Sequence, residues 1–311
     1  MTVRRSIIIL SLLLLLLLGL GASWAVGGWL TTPRGISTAP LPPGDFYIPS
    51  TDDVRLAASY RPGASPDAPA VLLLHAKGGS RQGLAGIAAW LNQAGYATLA
   101  IDQRGHGQST PTPYSFGWRE SRDAAAAFGW LKRRQRGAPV AVIGLSLGGA
   151  ASLLGDGPLP ADALILQAVY GDLRSAVRNR IATVAGTGPA WLLEPLLSYQ
   201  TRPRLGVWPD ALSPRRRIAA YRGPVLVIGG AKDRYTPPTE TRALYAAAPG
   251  PKAIWFIPGV EHEAAVNHDS PAYRRVVLQF LAAHLPGSGP GKGLASPQGA
   301  DSLLPPVAVE R

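Results

Sequence analysis

Val140-Ala141-Val142-Ile143-Gly144-Leu145-Ser146-Leu147-Gly148-Gly149-Ala150-Ala151-Ser152-Leu153-Leu154 is the stretch on which the fold of this chain turns. An apolar run of strand type enters a Gly-x-Ser-x-Gly turn, and a run of small and apolar residues of helical type leaves it. A five-residue pattern of this kind recurs by chance in a chain with 36 glycines, so the strand before it and the helix after it give it its meaning. As structure alone it is a tight turn where a helix meets a sheet. As chemistry it is a strained elbow: flanking glycines avoid clashes that side chains would make, and the strain holds the Ser146 hydroxyl up and exposed.

Working outward, short apolar runs alternate with helical patterns on both sides of the elbow. Two strand-like runs, Phe46-Tyr47-Ile48 and Val54 to Tyr60, surround a Thr51-Asp52-Asp53 turn. Strands are then predicted at Ala70 to Leu74, Ala97 to Ile101, Val140 to Gly144, Ala163 to Val169, Val225 to Gly229 and Ala253 to Ile257. Helices are predicted at Gln82 to Ala94, Trp118 to Arg133, Pro238 to Ala247 and Pro271 to Leu285. Continuous apolar strands separated by amphipathic helices imply an α/β fold, a mostly parallel sheet with helices on both faces. Its catalytic loops are expected at the carboxyl ends of the strands. Between Tyr170 and Tyr221 the rhythm breaks for about fifty residues, too long for an ordinary connection. This segment, about 172–220, reads as a lid carrying Trp191, Leu192, Leu193, Leu196, Leu197 and Trp208. The domain so defined runs over 44–285, and the Gly-rich tail 286–311 reads as disordered.

The first 30 residues are of another kind. Arg4 and Arg5 precede an uncharged stretch from Ser6 to Leu30, long enough to cross a bilayer. Ile7 to Leu20 has signal-peptide length with Ser23-Trp24-Ala25 as a small-residue cleavage site, whereas the continuation Val26 to Leu30 favours an uncleaved anchor. Either way the basic N-terminal flank stays inside and the domain goes outward, so the expected location is membrane-anchored or secreted, on the periplasmic or extracellular side. Residues 31–43, rich in Pro, Thr and Gly, read as a linker.

With 46% hydrophobic and 16% charged residues the chain is globular, and the absence of cysteine excludes disulfides, thiolate zinc sites and a cysteine nucleophile. Half of the net charge of +12 lies between Asp172 and Arg222, where nine arginines face Asp172, Glu194 and Asp210. Such a patch attracts phosphates, acidic substrates or anionic lipid, or is simply a solvated basic surface. No zinc-finger spacing or aromatic ribonucleoprotein motif accompanies it, which argues against nucleic acid as a partner.

A serine hydroxyl needs a base to take its proton. Of five histidines, His262 lies directly after the strand ending at Ile257 and before the last helix, and His268 is the reserve. The imidazolium needs a carboxylate to fix its tautomer. Asp233, just beyond the strand Val225 to Gly229, is the candidate, and its plainer reading is a helix-capping or turn residue. Asp172 is the alternative acid. An oxyanion needs two backbone donors: Leu147 beside the serine, and Lys77 in the loop His75-Ala76-Lys77-Gly78-Gly79-Ser80.

These pieces, with Asp102-Gln103-Arg104-Gly105-His106-Gly107-Gln108-Ser109, Asp233-Arg234-Tyr235-Thr236-Pro237-Pro238 and Gly259-Val260-Glu261-His262, make the region from about Phe46 to Leu285 resemble the alpha/beta-hydrolase superfamily, especially its small bacterial esterase and acyl-peptidase-like branch. The resemblance implies an eight-stranded, mostly parallel sheet, the set Ser146, Asp233 and His262, no cofactor, and a structural role for His106. The chain departs from the family at Ala76, where His-Gly is usual. The expected function is a serine hydrolase cleaving an ester-type or amide-type acyl bond through an acyl-enzyme, on a small-molecule acyl substrate. The alternative is a non-catalytic, membrane-tethered binding module on the same scaffold.

Overall fold

The computed structural model describes residues 2–285; the tail read as disordered lies outside the described residues. α1 (Thr2–Thr31) is a single helix. An extended segment follows, and β1 (Phe46–Pro49) and β2 (Arg55–Arg61) then pair antiparallel. Asp52 and Asp53 make the turn between them with φ of 60° and 56°, the left-handed region that aspartate tolerates better than most residues.

Beyond the hairpin each apolar run becomes a strand and each amphipathic run a helix that returns the chain to the sheet. In chain order these are β3 (Ala70–Leu74), α2 (Ala85–Gln93), β4 (Ala97–Ile101), α3 (Glu120–Arg134), β5 (Val140–Leu145), α4 (Leu147–Ala151) and β6 (Ala163–Gln167). Between β6 and β7 (Val225–Gly230) lie the insertion helices α5 (Leu173–Ala185), α6 (Thr187–Ser198), α7 (Thr201–Leu205) and α8 (Pro214–Arg217). The domain closes with α9 (Pro238–Ala247), β8 (Lys252–Ile257), α10 (His262–Val266) and α11 (Pro271–His284).

The eight strands form one sheet in the order β1-β2-β4-β3-β5-β6-β7-β8. β2 runs antiparallel to β4, and every pair from β4 to β8 is parallel. β3 to β7 are buried along their whole length, as strands covered on both faces must be. Alternate residues of each strand feed two cores. Leu72, Leu74, Val140 and Val142 pack toward Phe128 and Leu131 of α3, while Val71, Leu73, Ala141 and Ile143 pack toward Leu91 of α2 and Val277 of α11. Each fully buried aliphatic side chain contributes about 1.5–3 kcal/mol, so this two-sided burial fixes the strand register and, with it, the loops at the strand ends.

The predicted and observed boundaries differ by a few residues for local reasons. The helix predicted from Trp118 begins at Glu120 because the Glu120 carboxylate accepts from the amides of Ser115 and Gly117, both at 2.9 Å, and holds the preceding loop in place. The strand predicted to reach Val169 ends at Gln167, since Ala168 turns the chain with φ 52°. Within the insertion, whose internal helices had no predicted counterpart, α5 and α6 are clamped by Glu194. Its buried carboxylate takes both Nε and a terminal nitrogen of Arg174, each at 2.9 Å, and Arg178 at 3.3 Å.

Candidate active site

The elbow has the geometry its sequence implies. Ser146 stands between β5 and α4 with φ 46° and ψ −105°, a conformation costing a non-glycine residue on the order of 1–3 kcal/mol. Close approach on all sides holds it there: a Cβ on Gly148 would lie 2.3 Å from the Leu74 carbonyl oxygen, where α4 crosses β3. His262, the first residue of α10, and Asp233, in the turn after β7, converge on the serine from neighbouring strand ends. Ser146 Oγ lies 3.5 Å from His262 Nε2, and His262 Nδ1 lies 2.7 Å from Asp233 Oδ2. His262 and Asp233 are both buried.

Asp233 is held from several directions. Its Oδ1 accepts the amides of Tyr235 and Thr236, each at 2.8 Å, and its Oδ2 also accepts the Thr236 hydroxyl at 2.6 Å. Burial opposes ionisation of this carboxyl, but the hydrogen bonds from His262 and Thr236 outweigh it and hold the group below its usual range. A carboxylate at Nδ1 selects the tautomer protonated there and leaves Nε2 as an acceptor facing Ser146. The Tyr235 ring packs edge-on against His262 with centroids 5.4 Å apart.

Opposite these residues runs the loop after β3. Gly79 N donates to Ala76 O at 2.9 Å across a turn in which Gly78 takes φ 77°, so the amide of Lys77 stays outside the turn's own hydrogen bond. Lys77 lines a cleft of about 320 Å³ together with Ser146 and His262. Its ammonium donates to Leu30 O at 2.9 Å. Burial first, and the Arg180 and Arg34 guanidiniums after it, push the ammonium down to about 8. His75 is buried and neutral: Gln103 N donates to its Nε2 at 3.0 Å while its Nδ1 faces Ala76 O at 2.7 Å. Burial, aided by His106, pushes its imidazole down to about 3.

Three comparisons with known proteins bear on this arrangement. The profile of the Hydrolase_4 family, described as serine aminopeptidase S33, matches residues 65–199, from before β3 to α6. The uncharacterized protein Rv2307c of Mycobacterium tuberculosis is 33% identical over 253 residues, spanning 80% of this chain and 83% of that protein. The esterase Pf2001 of Pyrococcus furiosus superposes with a TM-score of 0.66 at 20% identity, covering 82% of this chain and 98% of its own. The chain belongs to the alpha/beta-hydrolase superfamily. Among its relatives is the lysophosphatidylserine lipase ABHD12 of Bos taurus, 26% identical over 249 residues, spanning 73% of this chain and 59% of that protein.

In this alpha/beta hydrolase, the structure gathers Ser146, His262 and Asp233 into one row and turns the alternatives to other uses. His268 lines the same cleft, but its Nε2 pairs with Ser270 Oγ at 2.9 Å. Asp172 caps α5 by accepting from Ser175 N at 2.9 Å. His106 is buried against His75, with ring centroids 4.7 Å apart, and stacked on Tyr114 at 4.4 Å. Of the arginines in the insertion, Arg178 lies 3.6 Å over Trp191, Arg180 4.1 Å over Tyr235 and Arg204 3.8 Å over Trp24.

Sequence reasoning missed two features of the hydrolase. Thr236 braces Asp233 from three residues on, a side chain whose motif was visible but whose bond was not. Arg81, fully buried, pairs with Asp102 beneath the loop after β3 and also reaches Asp45 at 2.8 Å. No local pattern marks Arg81, because its partners lie more than twenty residues away in both directions.

Proposed function

We propose that this protein is a membrane-anchored serine hydrolase that cleaves an ester-type or amide-type acyl bond in two steps. Ser146 is the nucleophile, His262 the base and acid, and Asp233 the carboxylate that orients the imidazole. The observation carrying this reading is the row of contacts from Ser146 Oγ through His262 to Asp233, at 3.5 Å and 2.7 Å. A serine-to-imidazole contact of this length tightens when a substrate completes the site.

As Ser146 Oγ bonds to the acyl carbon, its proton passes to His262 Nε2 and the carbonyl electron pair moves onto oxygen. The amides of Leu147 and Lys77 donate to that oxyanion. Leu147 opens α4, so its N–H has no partner within the helix. Collapse breaks the bond to the leaving alcohol or amine, which takes the proton from Nε2. Water then gives a proton to Nε2 and attacks the acyl-serine. A second collapse releases the acid and returns the proton to Oγ. Asp233 stays ionised throughout and offsets the imidazolium charge.

The reading of α1 as an anchor, rather than a leader that is removed, is supported by its contacts. Ser23 Oγ donates to Leu196 O at 2.9 Å, Gln200 Nε2 donates to Ser23 O at 2.9 Å, and Arg204 donates to Trp24 O at 2.7 Å. Cleavage after Ala25 would discard all three. With Arg4 and Arg5 on the inner side, the domain faces outward, and the insertion serves as a lid over the cleft.

A fluorophosphonate probe on the full-length protein, beside a Ser146→Ala variant, tests the chemistry. The expected result is stoichiometric labelling at Ser146 and loss of p-nitrophenyl ester turnover by at least 10³-fold in the variant. Absence of both labelling and turnover in the parent would leave the non-catalytic binding module as the better account, and full turnover by the variant would remove Ser146 as the nucleophile.

A further inference from the structure

Beside the polar cleft at Ser146 lies a second cavity, of about 300 Å³, whose walls come from three parts of the chain far apart in sequence. One wall is the end of α1, with Trp24, Gly27 and Leu30; facing it is the insertion, with Val177, Leu197 and Leu205; Tyr114 and Phe116, in the loop before α3, form the third. The first two are fitted closely, since a Cβ on Gly27 would lie 2.0 Å from the amide oxygen of Gln200. Lys77 stands between the compartments. It lines the cleft with Ser146, while its ammonium bonds to Leu30 O and sits over the rings of Tyr114 and Phe116, at 5.4 Å and 5.5 Å, both of which line the second cavity.

The position of this cavity relative to a bilayer follows from helix length. A helix crosses the hydrocarbon core in about 20 residues, so a span that starts after Arg5 emerges near Ala25. Trp24 and Trp29 then sit at the interface, where indole is favoured. Arg4 to Ala22 of α1 are exposed, whereas Ser23, Gly27, Gly28 and Leu30, on the part of the helix that reaches the domain, are partly or fully buried. The cavity therefore lies at the level where acyl chains meet head groups. Trp191 and Leu192 of α6, the helix whose end lines the cavity at Leu197, are 64% and 76% exposed, as residues facing lipid rather than water would be.

We propose that the cavity between α1 and the insertion holds the hydrocarbon chain of a bilayer amphiphile, which enters sideways from the adjacent leaflet and presents its acyl carbonyl to Ser146. This rests on the hydrolytic reading above and adds to it a location for the chain, with the anchor helix as one wall of the substrate site. Movement of the Lys77 side chain joins the two compartments, and the polar cleft receives the head group.

A long-chain alkyl fluorophosphonate with a diazirine at the chain terminus tests both levels separately in full-length protein held in nanodiscs. Phosphonylation of Ser146 with photocrosslinks to Trp24–Leu30, Val177 or Leu197–Leu205 is the expected result. Phosphonylation with crosslinks confined to Leu84, Ile87 or Val266, in the wall of the other cleft, would overturn this proposal and leave the hydrolytic reading standing. No phosphonylation would sink both. Independently, Leu197→Trp fills the cavity and is expected to lower the ratio of kcat/KM for a dodecanoyl over a butanoyl p-nitrophenyl ester by about tenfold or more. The ratio cancels any loss of folded protein, and an unchanged ratio would count against the assignment.

Discussion

The hydroxyl of Thr236 donates to Oδ2 of Asp233 at 2.6 Å, the same oxygen that lies 2.7 Å from Nδ1 of His262. Two donors on one oxygen fix the carboxylate plane and so the direction of the imidazole. Thr236→Val removes one of them while keeping shape, and is expected to lower kcat by roughly 3–30-fold with little change in KM, the loss of one charge-assisted hydrogen bond acting through orientation. Thr236→Ser should restore most of the rate. Steady-state kinetics on one ester checks both, and equal damage by Val and Ser would show that packing of the methyl group matters instead.

His75 couples stability to pH. Its imidazole is held at about 3 in the fold against 6.5 when free, so between those values the unfolded chain carries a proton that the folded chain does not. Stability should therefore fall as pH drops from about 6.5 toward 3, with a slope from this group of up to about 1.4 kcal/mol per pH unit, and this group has no effect above that window. Below about 4 the loss of the lowered Asp233 carboxylate adds to the slope. Urea unfolding at a series of pH values should give a shallower dependence for His75→Asn than for the parent; an identical slope would mean that the charged imidazole is accommodated after all.

Gly148→Ala tests the elbow as a packing problem. The added methyl would meet the Leu74 carbonyl oxygen, its carbonyl carbon and its Cβ, all within 2.6 Å. Backbone cannot yield as a flexible side chain can, so a loss of about 3 kcal/mol or more is expected. It should be visible as a drop in Tm of several degrees together with a reduced yield of probe-reactive protein.

Arg81 and Asp102 form a buried pair under the loop that carries Lys77. Asp102 also accepts from Arg81 N at 2.6 Å and Gln108 N at 2.9 Å. Arg81→Met strands the carboxylate without its cation and should cost about 3–5 kcal/mol. The double variant Arg81→Met with Asp102→Leu should recover part of that loss. Chemical denaturation of the four-member cycle measures the coupling, and strict additivity would mean the two groups do not depend on each other.

The local elements were legible in the sequence because each depends on neighbours in the chain. β3 to β7 are runs of apolar residues, and such a run has little choice but to be buried on both faces. The turn at Ser146 follows from small residues between a strand and a helix. The order of Ser146, Asp233 and His262, each after a strand, placed all three at the carboxyl ends of the sheet's strands. Thr236, Arg81 and the helices within 172–220 were not legible, since a hydroxyl three residues from an acid or an arginine amid glycines has many possible partners.

The sequence alone thus determined that the chain is an α/β protein with a strained serine turn, and which loops could meet it, because period and burial are local consequences of residue type. Only the tertiary structure decided that His262 rather than His268 faces Ser146 Oγ, that Asp172 is committed to a helix cap, and that the end of α1 forms a wall beside the cleft. The Asp172 cap is a contact three residues long, but the other two outcomes depend on contacts between segments over a hundred residues apart, which the packing of helices on both faces of the sheet sets and no local pattern records.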